Sequence, residues 1–491
     1  MHIYLLFLAI IRIFALEMIT DELRYRVEQA LGLLPTADQE NAIDTFCRFM
    51  TDRHEHAVMV MRGSAGTGKT TLAAAMVQAL LSLEQKLVLM APTGRAAKVL
   101  SLYAHHEAGT IHRRIYRQKS LDGGFDLNYN VAKDTLFMVD EASMIANGSR
   151  ELFGMAGHGL LDDLVSFVYN GRNCRMLLIG DRAQLPPVGE EESPALMADV
   201  WRQYGLHVFE CDLNEVVRQG QQSGILWNAT QIRHIETQQL LPQVTLHDFD
   251  DIRVVPGDEL IESLSNSYSE VGLDDTIVVT RSNKRANIYN QGIRNTVLDR
   301  DEELCRGDRL MVVKNNYYWT SQQPVESSPL SFIANGDLCV VQRVRNVHKQ
   351  HGFHFAEVTL TFPDYDDYEL TVLALLDTLT SEAPALTREQ QEQLYQKVLE
   401  DYMDIPRKAD RLKKVKEDKY YNALQIKFAY AATCHKAQGG QWAHVYVDQG
   451  YMTEDMLTVD YLHWLYTAFT RATERLFLVN WPKTQIVGIE G

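Results

Sequence analysis

Residues 63–71 read Gly-Ser-Ala-Gly-Thr-Gly-Lys-Thr-Thr and match the pattern G-x-x-x-x-G-K-[ST]. Gly63, Gly66 and Gly68 free the backbone to turn tightly. With Ala65 and Thr67 between them, successive N–H groups can converge on a cluster of phosphate oxygens. A helix starting at this point adds the positive end of its dipole. In that setting Lys69 neutralises charge on the outer phosphates, Thr70 ligates Mg2+ and Thr71 completes the nucleotide contacts. The competing reading is a chance glycine-rich turn. An apolar, strand-like run before the loop and a helical pattern after it count against chance.

Asp140 and Glu141 follow the apolar run at 136–139. Adjacent carboxylates are more often a solvated strand end, but a pair placed here, downstream of a phosphate loop, has a second use. Asp140 can hold Mg2+ through water, and Glu141 can orient or deprotonate the attacking water. Together with the loop they indicate nucleoside triphosphate hydrolysis. Residues 180–189 (GDRAQLPPVG) follow another apolar run and offer Gln184 as a sensor of the γ-phosphate. Arg218 (in LNEVVRQ, 213–219) and Arg471 (in YTAFTRAT, 466–473) lie outside the loop's own domain. Either one alone reads as a surface ion-pair partner. Both make sense as arginine fingers if the nucleotide sits where two domains meet.

The elements that must position these residues are apolar runs alternating with helical patterns. AVMVMRG (57–63), KLVLMAP (86–92), DTLFMVDEA (134–142) and CRMLLIGD (174–181) read as strands buried on both faces of a parallel sheet. A second series is DTIVVTR (275–281), KFAYAAT (427–433), AHVYVD (443–448) and ERLFLVNW (474–481). The fold class is therefore α/β, with two parallel-sheet domains. Between about 306 and 425 the pattern alternates like antiparallel strands with Gly-Asp and Asn-Gly turns, a β-rich insertion in the second domain. Residues 387–419 form a charged helical run with mixed signs, a solvated face by default. Residues 113–133, with Gly123-Gly124 between short alternating segments, predict a β-hairpin in the first domain.

Length and composition bound the rest. A chain of 491 residues exceeds a single core, and 46% hydrophobic with 23% charged residues excludes disorder. Lys+Arg 48 against Asp+Glu 65 gives a net charge of −17, which rules out a histone-like basic coat. Nucleic acid would have to be met by a local basic groove in an acidic body. Six cysteines show no CxxC pair or metal-ligand spacing and read as reduced thiols of a cytoplasmic enzyme with no stable membrane association. Residues 1–16 are nearly all apolar, interrupted by Arg12. A weak anchor, a poor signal peptide and the product of an upstream start codon all fit. The last is preferred, because Met18 follows and 18–34 reads as an amphipathic helix capped by Thr20 or Asp21.

In order along the chain, these blocks resemble the superfamily 1B helicases, in particular the RecD-like group that includes the Dda-type enzymes. Thr36-x-x-Gln39 resembles the adenine-reading Q motif, 91–97 (APTGRAA) motif Ia, 110–112 (TIH) motif Ib, 432–440 (ATCHKAQGG) motif V, and the Arg471 block motif VI. The resemblance implies two RecA-like domains, at 35–210 and at 211–305 with 426–491, preceded by a segment at 1–34. It also implies a pin at 113–133 and an SH3-like insertion at 306–425. ATP and Mg2+ are the implied cofactors, with Gln39, Gly439 and both arginines joining the loop around the nucleotide. Single-stranded DNA would touch Pro92, Thr93, His112, Thr433, His435 and Lys436, and the hydroxyl, imidazole and ammonium donors of the last five suit phosphate oxygens. Strand-end capping for Thr93 and Thr433, and plain loop polarity for His435, stay open beside this. Phe125 at the pin tip would be a wedge against the duplex, or the cover of a small apolar cluster. Tyr317, Tyr318 and Trp319 could stack on bases, although packing is the preferred reading.

The implied activity is an ATP-dependent DNA helicase moving 5′ to 3′ on single strands, acting at duplex junctions in repair, recombination or replication. A monomer is expected, with repair or replication proteins as partners. A motor subunit of a larger exonuclease–helicase complex and an RNA helicase of the same superfamily are the alternatives. Lys69→Ala should abolish ATP hydrolysis while leaving the circular-dichroism spectrum unchanged; retained turnover would remove the phosphate-loop reading.

Overall fold

The computed structural model describes residues 18–118, 125–147, 159–217, 223–235, 241–322, 330 and 332–487. Two compact units emerge. Of the described residues, the first draws on 18–92, 96–115, 127–147 and 159–217, and the second on 93–95, 116–118, 125–126, 223–235, 241–322, 330 and 332–487.

The first unit holds a six-stranded sheet in the order β3-β2-β6-β7-β1-β8. Its strands are β1 (Ala57–Gly63), β2 (Lys86–Ala91), β3 (Ala108–Thr110), β6 (Thr135–Val139), β7 (Arg175–Gly180) and β8 (His207–Leu213). Every pair is parallel. β1, β6 and β7 are buried along their whole length, which is why their sequences run apolar without alternation. The core packs Met59, Met61, Leu177 and Ile179 of the strands against Leu72, Met76 and Leu80 of helix Lys69–Ser82 and Ile43, Phe46 and Phe49 of helix Ala37–Thr51. Arg62, the one cation inside β1, is matched by Asp212 at 2.6 and 2.8 Å and Glu210 at 2.9 Å. Residues 18–31 are helical, so Thr20 and Asp21 lie within that helix and not at its cap. The helix stops at Gly32, whose φ of +66° lets the chain leave in the left-handed region.

β4 (Tyr116–Gln118) and β5 (Phe125–Leu127) form a two-stranded sheet. Gly123-Gly124 and the Phe125 side chain lie outside what is described.

The second unit contains a five-stranded parallel sheet in the order β16-β10-β17-β18-β9. These strands are β9 (Ile252–Val255), β10 (Thr276–Thr280), β16 (Ala431–Thr433), β17 (Trp442–Asp448) and β18 (Ala472–Val479). A closed barrel interrupts the series, built from β11 (Arg309–Val312), β12 (Leu338–Gln350), β13 (Phe353–Phe362), β14 (Tyr368–Leu375) and β15 (Leu424–Phe428). β12 and β13 turn at His351 and Gly352, with φ of +53° and +87°, the two positive values a tight hairpin requires.

The run 427–433 reads as one strand but is divided in the structure. Lys427 and Phe428 finish β15 of the barrel, and β16 begins at Ala431. Tyr430 at the break donates its hydroxyl to Asp308 at 2.9 Å and is buried. The charged run at 387–419 is two helices, Arg388–Glu400 and Lys408–Lys416. Both are largely solvated, but Leu394, Val398 and Val415 pack on Phe353, Phe355, Leu373 and Leu375 of the barrel. No helix among the described residues is long and apolar enough to cross a membrane.

Candidate nucleotide-binding site

The parallel order of the first sheet brings the carboxyl ends of β1, β6 and β7 side by side, where open α/β sheets bind ligands. At the end of β1 the chain turns through the loop into helix Lys69–Ser82. Gly66 and Gly68 take φ of +77° and +79°, which only glycine adopts without strain. A Cβ on Gly63 would stand 2.7 Å from Lys69 Cγ and 2.9 Å from Leu213 Cβ, so close packing also demands glycine there.

The loop is fastened from several sides. Ser64 N donates to Leu213 O at 3.3 Å, Val217 N to Gly66 O at 3.0 Å, and Thr67 Oγ1 to Ser64 O at 2.8 Å. Gln39 adds a bond from Nε2 to Thr67 O at 3.0 Å. Gln39 is itself held by a capping box, donating N to Thr36 Oγ1 while its Oε1 accepts from Thr36 N. The Thr-x-x-Gln signature therefore has a local structural role, bracing the phosphate loop through helix Ala37–Thr51.

Lys69 Nζ bends back into the loop, donating to Gly63 O at 2.5 Å and Ser64 O at 3.0 Å, and lies 3.8 Å from Asp181 Oδ2. Thr70 and Thr71 occupy the helix's first turn. Asp140, at the end of β6, accepts from Glu141 N at 2.8 Å. Its residue keeps some exposed surface, but the carboxyl is crowded by protein. Desolvation pushes its pKa up from 3.8 to about 7, with the Glu141 charge adding and Lys69 opposing. Glu141 has φ of +51°, a strained conformation for a non-glycine residue that turns the chain sharply after β6. Asp181, at the end of β7, accepts from Ala183 N at 2.9 Å and shapes the turn that buries Gln184.

Asp181 is the site residue that motif reasoning passed over. The sequence signal was present, since the Gly180-Asp181 pair ends an apolar run as Val139-Asp140 does. Lys69, Thr70, Asp140, Glu141 and Gln184 are thus gathered on one edge of one sheet, whereas Arg218 lies outside the described residues. Pro92 and Thr93 directly follow β2, and His112 sits on the short helix Ile111–Ile115 after β3; all three are half-buried.

Within the second unit Arg471 is buried and spends its donors at home. Its Nε reaches Thr467 O at 3.0 Å, Nη1 reaches Gly440 O at 3.0 Å, and Nη2 reaches Thr470 Oγ1 at 3.3 Å. Gly439 beside it has φ of +76°, so the glycines of 439–440 and Arg471 form one cluster. Thr433 precedes helix Cys434–Ala437 and makes no side-chain cap bond, so the capping alternative is not realised. His435 is exposed. Lys436 donates to Asn335 Oδ1 at 3.3 Å, and burial, with Lys427 nearby, pushes its pKa down to about 8. Tyr317 stacks on Phe332 with ring centroids 4.7 Å apart, and the Trp319 indole donates to Asn422 O at 2.9 Å, so these aromatics are packed.

Residues 35–253 match the family model of an AAA domain, and residues 428–479 that of a UvrD-like helicase C-terminal domain. The chain is 27% identical over 317 residues to the ATP-dependent DNA helicase dda of Enterobacteria phage T4, covering 62% of this chain and 66% of the phage protein. It is 36% identical over 134 residues to the ATP-dependent RecD2 DNA helicase of Deinococcus radiodurans, covering 27% and 16%. The chain is thus similar to DNA helicases of the Dda and RecD2 kind. It spans about two thirds of the phage protein's length and a much smaller share of RecD2's. Among solved structures, Pif1 helicase from Bacteroides in complex with ADP-AlF3 and ssDNA aligns over 93% of this chain and 95% of that one, at 14% identity and a TM-score of 0.45.

The matched segment 35–253 contains every described residue of the phosphate loop and its acidic edge, and 428–479 contains Gly439 and Arg471. Without nucleotide or metal, a raised carboxyl pKa means that Asp140 costs stability when ionised. The cost is absent below its ordinary value of 3.8, grows as pH rises, and is complete above about 7. Asp140→Asn should therefore raise the thermal midpoint of the ligand-free chain at pH above 7 and leave it nearly unchanged at pH below 4. Equal shifts at both ends would show that Asp140 is not ionising in a crowded setting.

Proposed function

We propose that this chain is an ATP-dependent DNA helicase that binds Mg2+ with ATP at the first unit and moves 5′ to 3′ along single-stranded DNA. The observation that carries the reading is the acidic, glycine-lined edge at the ends of β1, β6 and β7, where Lys69 lies 3.8 Å from Asp181. Loop N–H groups and Lys69 suit an anionic triphosphate. The Thr70 hydroxyl and the Asp140 carboxylate supply the hard oxygen donors that Mg2+ prefers. A cation beside Asp140 would also stabilise its charged form, which burial alone disfavours. When bound, Mg2+ offsets charge on the phosphate oxygens.

The chain's own groups do the rest. Glu141 is assigned to orient and deprotonate the attacking water, and Gln184 to register the γ-phosphate. Arg218 and Arg471 are assigned to stabilise the charge that develops as the phosphoryl group leaves. For Arg471 this means exchanging its bonds to Gly440 and Thr470 for phosphate oxygens. Pro92, Thr93, His112, Thr433, His435 and Lys436 are assigned to the DNA backbone, and Phe125 to the fork. Dda and RecD2, the relatives that support the reading, are both named as ATP-dependent DNA helicases.

Unwinding of duplexes bearing either a 5′ or a 3′ single-stranded tail, with ATP and Mg2+, tests the proposal. Strand separation of the 5′-tailed DNA alone is expected. Separation of only the 3′-tailed duplex would reverse the polarity, and separation of RNA but not DNA would move the chain to the RNA-helicase alternative.

A further inference from the structure

The amino ends of β1 and β8 lie at the opposite edge of the first sheet from the phosphate loop, about 20 Å away along a seven-residue strand. There Asp52, His54 and His207 each offer one ligand atom, all within 4.8 Å of one another. His54 Nδ1 lies 3.0 Å from Asp52 Oδ1, and His207 Nδ1 lies 2.8 Å from Asp52 Oδ2, with the two imidazole centroids 4.2 Å apart. Residues 52 and 207 are far apart in sequence, so the fold and not local chain geometry brings them together.

We propose that Asp52, His54 and His207 bind a transition-metal dication of the zinc class, at a site separate from the nucleotide machinery. The donor set of two imidazole nitrogens and one carboxylate suits Zn2+ or Co2+, whereas Mg2+ prefers oxygen alone. Tetrahedral zinc bonds of about 2.0–2.1 Å place ligand atoms about 3.3 Å apart. The two imidazole–carboxylate spacings of 2.8 and 3.0 Å are a few tenths of an ångström short of this, and the full set, all within 4.8 Å, reaches it by rotation of the two imidazoles. Both rings have room to do so, with side-chain exposures of 65% for His54 and 45% for His207, which also leaves the remaining position to water.

The carboxylate is already set for the role. It is 13% exposed, and Arg53 N donates to Oδ1 at 2.8 Å. Burial raises its pKa, but hydrogen bonds from His207 and His54 outweigh this and hold it below the usual carboxylate range. Arg175 donates to the Asp52 backbone carbonyl and fixes the turn. His207 is anchored by its N–H bond to His56 O at 2.9 Å and by the edge of Phe209, 4.8 Å away between centroids. A bound ion would replace the imidazole–carboxylate protons and tie the end of helix Ala37–Thr51 to the start of β8.

The test uses the full chain, stripped with a chelator and free of nucleotide and Mg2+, titrated with Co2+ at neutral pH. Visible absorption reports coordination, and Zn2+ serves as competitor. One equivalent of Co2+ should bind and be displaced by Zn2+. Affinity should fall at least on the order of tenfold in His54→Ala and in His207→Ala. Zn2+ should raise the thermal midpoint of the wild-type chain but not of the double variant. Co2+ uptake by the wild type equal to that of the double variant would overturn the proposal and reduce the cluster to two histidine–aspartate hydrogen bonds.

Discussion

Charge is unbalanced at the carboxyl edge of the first sheet, and the strands, loop and turns around it are arranged to hold it so. Asp140, Glu141 and Asp181 converge there, and the cation placed among them, Lys69, is turned back onto the loop's own carbonyls. Beside this acidic edge runs a glycine loop suited to an anion. A cation and a polyphosphate together satisfy both halves, since the metal answers the carboxylates and the phosphates answer Lys69 and the loop. Neither half is well served alone, which is why burial disfavours the charged form of Asp140 in the absence of a partner.

The surrounding architecture holds that imbalance in place. Strands β1, β6 and β7 are parallel and fully buried, so their carboxyl ends cannot drift apart without opening the core. Gln39 and Val217 fasten the loop from two directions. Glu141 keeps a left-handed backbone conformation that a relaxed chain would leave, and strain of this kind persists where the surroundings over-determine it. In the second unit the cluster of Gly439, Gly440 and Arg471 is equally over-determined, with three hydrogen bonds holding one guanidinium.

What the sequence disclosed follows from how local each feature is. The phosphate loop occupies nine consecutive residues, and the buried parallel strands announce themselves as unbroken apolar runs, so both are legible without a structure. Features that rest on distant pairing are not. The apolar run at 427–433 hides a passage from barrel to sheet, because the division depends on Tyr430 meeting Asp308, 122 residues away. β9, only four residues long with Arg253 inside it, carries too weak a pattern to stand out. Asp181 was visible as an acidic residue ending an apolar run, but its approach to Lys69 needs the sheet order. Asp52, His54 and His207 had no spacing to betray them, since β8 must first pair with β1. The aromatic run at 317–319 was ambiguous until its partners, Phe332 and the Asn422 carbonyl, were known.

A protein with a net charge of −17 has little general attraction for DNA, so any productive contact with a strand must come from a few well-placed donors coupled to the nucleotide site. That coupling is measured most directly by steady-state ATP turnover of the purified chain in Mg2+, with and without single-stranded DNA. Hydrolysis should depend on Mg2+ and rise on the order of tenfold or more when the strand is added. Turnover that ignores the strand, or that proceeds equally well without Mg2+, would contradict this expectation.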